Sequence, residues 1–210
     1  MSSDVEREPA SASTIFGGRI ELARAFTDAL AREGEERGLI GPLEPPRLWT
    51  RHVLNCAVVA PLLKAGGTVG DVGSGAGLPG LVLAIARPDV RFILIEPMER
   101  RVVWLREQSD SLGLTNVEVM RARAEEARLA SPLDQVTARA VSAFRKLIPL
   151  TAPLVRDGGE LVLMKGTNAE AEVAAATKET RRFHIHDIRV DVLGAGVVDE
   201  VTRVIRATVR

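Results

Sequence analysis

Apolar positions along the chain change period three times. From Ile15 to about Arg37, residues Ile20, Leu22, Ala23, Phe26, Ala29 and Leu30 recur at helical spacing, and the Gly/Pro stretch GLIGPLEPP then breaks the pattern. A second helix is predicted in RLWTRHVLNCAVVAPLLKAGG, where Leu48, Trp49, Val53, Leu54, Ala57, Val58 and Leu62 share a face and Gly66-Gly67 ends the run. From Thr68 onward, short apolar runs alternate with longer helical ones. Strands are predicted at 68–72, 90–95, 116–121, 134–140 and 159–165, and helices at 79–87, 98–112, 144–156 and 168–181. Such a succession implies a parallel sheet with right-handed crossovers. The rhythm ends in FHIHDIRVDVL and DEVTRVIRATVR, which alternate with period two across a Gly-containing loop and predict a closing antiparallel pair.

These elements divide the chain into a flexible tail (1–14), an N-terminal helical extension (15–66) and an α/β core (67–210) that forms one structural unit with the extension. The 210 residues, 46% apolar and 27% charged, suit one folded domain. Basic and acidic residues balance at 28 each, so a polyanion would have to be met by a local patch. The first fourteen residues hold no apolar h-region and nowhere do 18 apolar residues run together, so the expectation is a cytoplasmic protein not bound to membrane; a monomer is expected. Cys56 stands alone, which excludes an intrachain disulfide and a Cys-rich zinc site. No metal is expected: His52 and Cys56 lack further ligands, and His184 and His186 are distant in sequence.

The densest chemistry lies in TVGDVGSGAGLPGLVLAIARPDVRFILIE, Thr68 to Glu96. Gly75-x-Gly77-x-x-Gly80 satisfies a dinucleotide pattern, and could equally be a tight strand-to-helix turn. Asp71 stands two residues before Gly73, and a carboxylate there suits the protonated amino group of a ligand and opposes a pyrophosphate. Glu96 ends the second strand at the edge where such sheets bind ligands, and suits a ribose diol. In VMRARAEEA, the Ala124 N–H and the Glu125 carboxylate could read an adenine ring. Asp71, Glu96 and Glu125 on successive strands favour S-adenosyl-L-methionine over a nicotinamide cofactor.

The motifs RLWTRHVLNCAVV, DVGSGAGLPGLVLAIARPD, EPMERRVVWL, RARAEE, ARAV and LMKG, in unbroken order between about Phe16 and Gly166, resemble the RsmG (GidB) family of 16S ribosomal RNA guanine-N7 methyltransferases. The resemblance implies a class I, Rossmann-like S-adenosylmethionine-dependent methyltransferase fold with a seven-strand, mostly parallel sheet. It implies S-adenosyl-L-methionine as donor and a guanine in the decoding-region loop of 16S ribosomal RNA, free or in the small ribosomal subunit, as acceptor. Carried over by position, Gly73, Leu78, Ala124, Glu125 and Arg139 resemble the family's cofactor contacts, beside Asp71, Gly75 and Glu96 read above.

N7 of guanine has a free lone pair and no proton, so its methylation needs alignment and a dry pocket and no general base. No Pro-Pro-aromatic motif follows the fourth strand to orient an amine, and Cys56 is far from any strand end, so amine and carbon-5 methylation are disfavoured. Arg139, a cation in the apolar run VTARAV, is either paired with an acid for structural reasons or a positioning residue between cofactor and substrate. Arg51 and His52 share a helical face with Asn55 and are assigned to RNA; Arg123 and Lys165, near strand ends, are candidate phosphate contacts. Two rivals remain open on these residues: a methyltransferase acting on a small molecule, and a non-catalytic nucleotide-binding module.

Overall fold

The computed structural model describes residues 5–210. Seven strands form one sheet in the order β3-β2-β1-β4-β5-β7-β6. They are β1 (Thr68–Val72), β2 (Arg91–Ile95), β3 (Val117–Met120), β4 (Leu133–Arg139), β5 (Val155–Lys165), β6 (Ile185–Leu193) and β7 (Thr202–Val209). The first five pair in parallel, while β7 inserts antiparallel between β5 and β6, so the closing pair expected from the period-two segments is present. Strand order reverses between β1 and β4, the position at which doubly wound sheets open a crevice at the carboxyl ends of their strands.

Central strands bury both faces, as a sheet covered on two sides must. Phe92 and Leu94 belong to the core beneath α2 (Ile20–Glu33), α4 (Gly80–Ala86) and α5 (Glu99–Ser111), whereas Ile93 and Ile95 join the core beneath α6 (Phe144–Thr151). One strand face departs from this rule: Gln135, Thr137 and Arg139 of β4 turn polar groups toward the N-terminal extension. Gln135 Nε2 donates to the Leu62 carbonyl, its Oε1 accepts from Lys64 N–H, and Arg139 reaches Arg51 and His52. Those hydrogen bonds hold the extension along β4, from Gln135 at its amino end to Arg139 at its carboxyl end.

Several boundaries differ from the sequence expectations. The supposed tail is partly ordered. Residues 1–4 lie outside the described residues, but Ser11–Phe16 forms helix α1, with Ala12 buried, and Glu8 is paired with Arg24 at 2.6 Å. The helix expected from Ile15 to about Arg37 is broken at Gly17–Arg19 and ends at Glu33. The second N-terminal helix is a π-helical turn, Leu48–Leu54, followed by the short α3 (Asn55–Ala57). The helix expected at 144–156 stops at Thr151, because Pro153 sits in the following turn and β5 already starts at Val155. The one expected at 168–181 splits into α7 (Ala169–Ala174) and α8 (Thr177–Arg182). No helix among the described residues is long and apolar enough to cross a membrane.

Candidate functional site

Two adjoining clefts open at the carboxyl ends of β1, β2 and β4. The first, about 520 Å³, is floored by the glycine loop Gly73–Ala76 with Leu78, walled by Glu96–Met98 and Arg101, and roofed by Leu39–Gly41. The second, about 600 Å³, lies between Arg51, His52 and Asn55 on one side and Lys165–Thr167 and Thr202–Arg203 on the other. Both volumes fall in the range of small-molecule sites, roughly 300–1,000 Å³. Glu44, His52, Arg139, Ala140 and Val141 border both clefts and so form the wall between them.

The loop after β1 works through its backbone. Gly73 has φ +73°, and a Cβ there would lie 2.8 Å from Val141 Cγ2 in the dividing wall. Glu96, 1% exposed, ties this loop to the next one: its Oε2 accepts from Gly75 N–H at 3.0 Å and its Oε1 from Met98 N–H at 2.9 Å. The Arg101 guanidinium stands 3.9 Å from Oε2. Gly73, Gly75, Leu78 and Glu96, all singled out from sequence, are therefore brought to one cleft.

Asp71 is not. It is 0% exposed and lines neither cleft, so the expectation that its carboxylate meets a ligand's amino group is corrected. Its position in β1 turns the side chain under α4, where Oδ2 accepts from Gly80 N–H at 3.0 Å and Oδ1 has no partner. A Cβ on residue 80 would come within 2.5 Å of that Oδ2, so glycine is required for this contact. Burial pushes the Asp71 carboxyl up to about 7, against the bond from Gly80 N–H and the Arg139 cation.

Arg139 lies where the clefts meet. Its Nη1 donates to the Arg51 carbonyl at 3.2 Å and its Nη2 to His52 Nδ1 at 2.7 Å. His52 is only 8% exposed, and its Nε2 is 2.6 Å from Glu44 Oε2. Burial, reinforced by the Arg139 cation, pushes the imidazole down to about 4. His52 thus lines both clefts with its two ring nitrogens turned to Arg139 and Glu44. Directly after Arg139, Ala140 adopts φ +54°, a strained conformation for a non-glycine residue that turns the chain along the wall.

Lys165 is also spoken for. Its side chain is 6% exposed, its Nζ donates to the Ser142 carbonyl at 2.5 Å, and it pairs with Glu172 Oε2 at 2.9 Å. Lys165 lines the second cleft with its ammonium already engaged by Glu172 and the Ser142 carbonyl. Arg51 is open to solvent at the mouth of the second cleft, with Glu44 at 3.6 Å and Glu200 at 3.5 Å. Ala124 and Glu125 form a turn just past β3, Ala124 buried in the second core and Glu125 exposed; neither they nor the exposed Arg123 line a cleft. Cys56 is fully buried, and its thiol is pushed up to about 11 by burial, so no thiolate is available for attack on a ring carbon. Sequence reasoning missed Glu44 and Arg203. Glu44 sits in a Pro-rich turn that reads only as a break, and Arg203 sits in the alternation of β7.

Comparison with known proteins agrees with this architecture. The chain is 70% identical over its whole length, and over the whole length of that protein, to the Ribosomal RNA small subunit methyltransferase G of Leifsonia xyli subsp. xyli. It is 68% identical to the protein of that name from Clavibacter michiganensis subsp. michiganensis, covering 98% of this chain and 97% of the other. Among solved structures, the N-methyltransferase NodS of Bradyrhizobium japonicum, in complex with S-adenosyl-L-homocysteine, shares the fold: TM-score 0.57, 14% identity, 88% of this chain and 98% of that one. Residues 19–199 match the GidB family model, described as rRNA small subunit methyltransferase G, and the chain belongs to that family.

Proposed function

We propose that this protein transfers a methyl group from S-adenosyl-L-methionine to N7 of a guanine in the decoding-region loop of 16S ribosomal RNA, acting in the cytoplasm as a monomer on the RNA or the small subunit. The observation that carries the reading is the meeting of two clefts at Arg139, one floored by glycine backbone and one rimmed by arginines. Family membership and relatives named for ribosomal RNA methylation support it.

The first cleft fits the donor. Bare backbone at Gly73 and Gly75 allows close approach, Leu78 supplies apolar contact, and the Glu96 carboxylate stands at the strand edge where a ribose diol would be held. By family resemblance Ala124 and Glu125 serve the adenine from the next strand edge. When bound, the donor supplies an electrophilic methyl on a sulfonium. Chain residues then have to orient the acceptor base and exclude water.

Two ionisable groups of the second cleft suit a nucleophile that needs no deprotonation. Lys165 is consumed by Glu172 and Ser142, and His52 is held on both ring nitrogens. Neither is free to take a proton, and the N7 lone pair requires none to be taken. Arg51 and Arg203 line the opening, which supports a role for them in meeting phosphate, with exposed Arg123 a further candidate. Incubating labelled donor with 16S ribosomal RNA and with 30S particles, then digesting to nucleosides, tests the proposal. Label in 7-methylguanosine from the decoding region is expected; label on an amine or ring carbon, or in neither RNA, would overturn it.

A further inference from the structure

An arginine placed between donor and acceptor is useful only if it is held still, since its long side chain has several rotatable bonds to immobilise. Two of Arg139's donors are fixed by one π-helical turn: Nη1 by the Arg51 carbonyl and Nη2 by His52 Nδ1. The second bond sets a condition on the ring. For Nδ1 to accept, the imidazole must be neutral and carry its proton on Nε2.

Glu44 meets that condition. Its carboxylate can only accept, and it faces His52 Nε2 at 2.6 Å, so it selects the Nε2–H tautomer. With the proton on Nδ1 instead, two donors would face each other across the His52–Arg139 contact and a ring lone pair would face the carboxylate. Burial and the Arg139 cation both oppose the imidazolium, so the ring stays neutral at physiological pH. Glu44 comes from the chain between α2 and the π-helical turn, the same segment whose Leu39–Gly41 roof the first cleft.

We propose that Glu44 is a positioning residue for methyl transfer: through the Nε2–H tautomer of His52 it holds the Arg139 guanidinium at the junction of the two clefts. This rests on reading that junction as the place where methyl passes to ribosomal RNA. It assigns a function to a residue in a Pro-rich turn that carries no methyltransferase motif.

The test compares wild type with Glu44→Gln and Glu44→Leu. It measures single-turnover transfer to 30S particles at saturating donor and RNA, donor Kd, and long-range ¹H–¹⁵N correlation spectra of the three histidines. His52→Gln assigns the His52 signals. In wild type at pH 7, His52 should be the neutral Nε2–H tautomer. Glu44→Gln, whose amide oxygen still accepts, should keep the tautomer and transfer within about threefold of wild type. Glu44→Leu should lose the tautomer preference and slow transfer roughly ten- to hundredfold, with donor Kd moved less than about threefold. In an Arg139→Ala background Glu44→Leu should cost nothing further, because the two act as one unit. The wild-type tautomer decides even where Glu44→Leu folds poorly. An Nδ1–H or charged His52 in wild type, unchanged transfer by folded Glu44→Leu, or additive losses would overturn the relay. Wild type transferring to no ribosomal RNA would instead overturn the methyl-transfer reading, and an intact tautomer would separate that failure from failure of the relay.

Discussion

The two clefts that meet at Arg139 are built from different materials. The first is floored by backbone, a glycine loop in which the Glu96 carboxylate ties the Gly75 amide to that of Met98. The second is mostly side chains, and they come from four distant segments, around residues 51, 140, 165 and 202. Backbone sites impose local rules, because only certain residues tolerate positive φ or close approach. Side-chain sites impose none, since any segment that reaches the place can contribute. A family can thus hold the first kind of site constant while varying the second, and each kind should fail differently when altered.

The largest effect is expected where the two meet. Arg139→Ala removes the cation from the wall and frees His52, and a misplacement of about 1 Å at a reacting centre costs on the order of 100-fold. Single-turnover transfer should fall by about that factor or more, while thermal unfolding stays cooperative. Transfer at the wild-type rate would reduce Arg139 to a structural clip for the π-helical turn. The next effect isolates the backbone cleft. Glu96→Ala removes the carboxylate, and a charged hydrogen bond is worth ~1.5–3 kcal/mol, so donor affinity should drop roughly ten- to hundredfold by calorimetric titration. An unchanged affinity would make Glu96 only a brace between two loops.

What could be read from the sequence follows the same division. Glu96 was legible because strand length and the edge rule set its place, and Arg139 because a cation interrupts an apolar strand. For Asp71 the position was legible and the direction was not: β1 carries its carboxylate under α4, a fact that depends on Gly80 leaving room nine residues later. Lys165 looked free because its partner, Glu172, lies in the next helix beyond a loop. Glu44 was invisible, since nothing in a turn between prolines announces that it will face a histidine eight residues on. The order in residues 11–14 was missed because their helix is held by packing against the core, with little amphipathic pattern of its own.

Asp71 supplies a third, smaller test, through pH. Its ordinary value is 3.8 and its folded value about 7, so between those limits the unfolded chain is ionised while the folded protein keeps the proton. The folded state therefore binds more protons, and stability attributable to this group falls as pH rises through the window, by about 1 kcal/mol per pH unit near pH 5–6. Asp71→Asn retains an acceptor for Gly80 N–H and cannot ionise. Denaturant midpoints of the variant relative to wild type should rise from pH 5 to pH 7; a difference independent of pH would show that the carboxyl is ionised in its pocket.

The smallest effect separates two basic residues of the second cleft that look alike in sequence. Arg51 is 45% exposed with acids at 3.5 and 3.6 Å, contacts that solvent and salt weaken and that an arriving phosphate can displace. Lys165 is 6% exposed and closed in by Glu172 and the Ser142 carbonyl, so releasing it would leave a half-buried carboxylate without its cation. One phosphate contact contributes about 0.7–0.9 to the slope of log affinity against log salt. Arg51→Ala should lower that slope by about this amount and weaken RNA binding only a few-fold near physiological salt. Lys165→Met should leave the slope unchanged and lower thermal stability instead, because Glu172 loses its partner while still accepting from Phe144 N–H. Filter binding of 16S ribosomal RNA fragments over a salt series reads both, and a slope lowered by Lys165→Met with unchanged melting would reverse the assignment of the two cations.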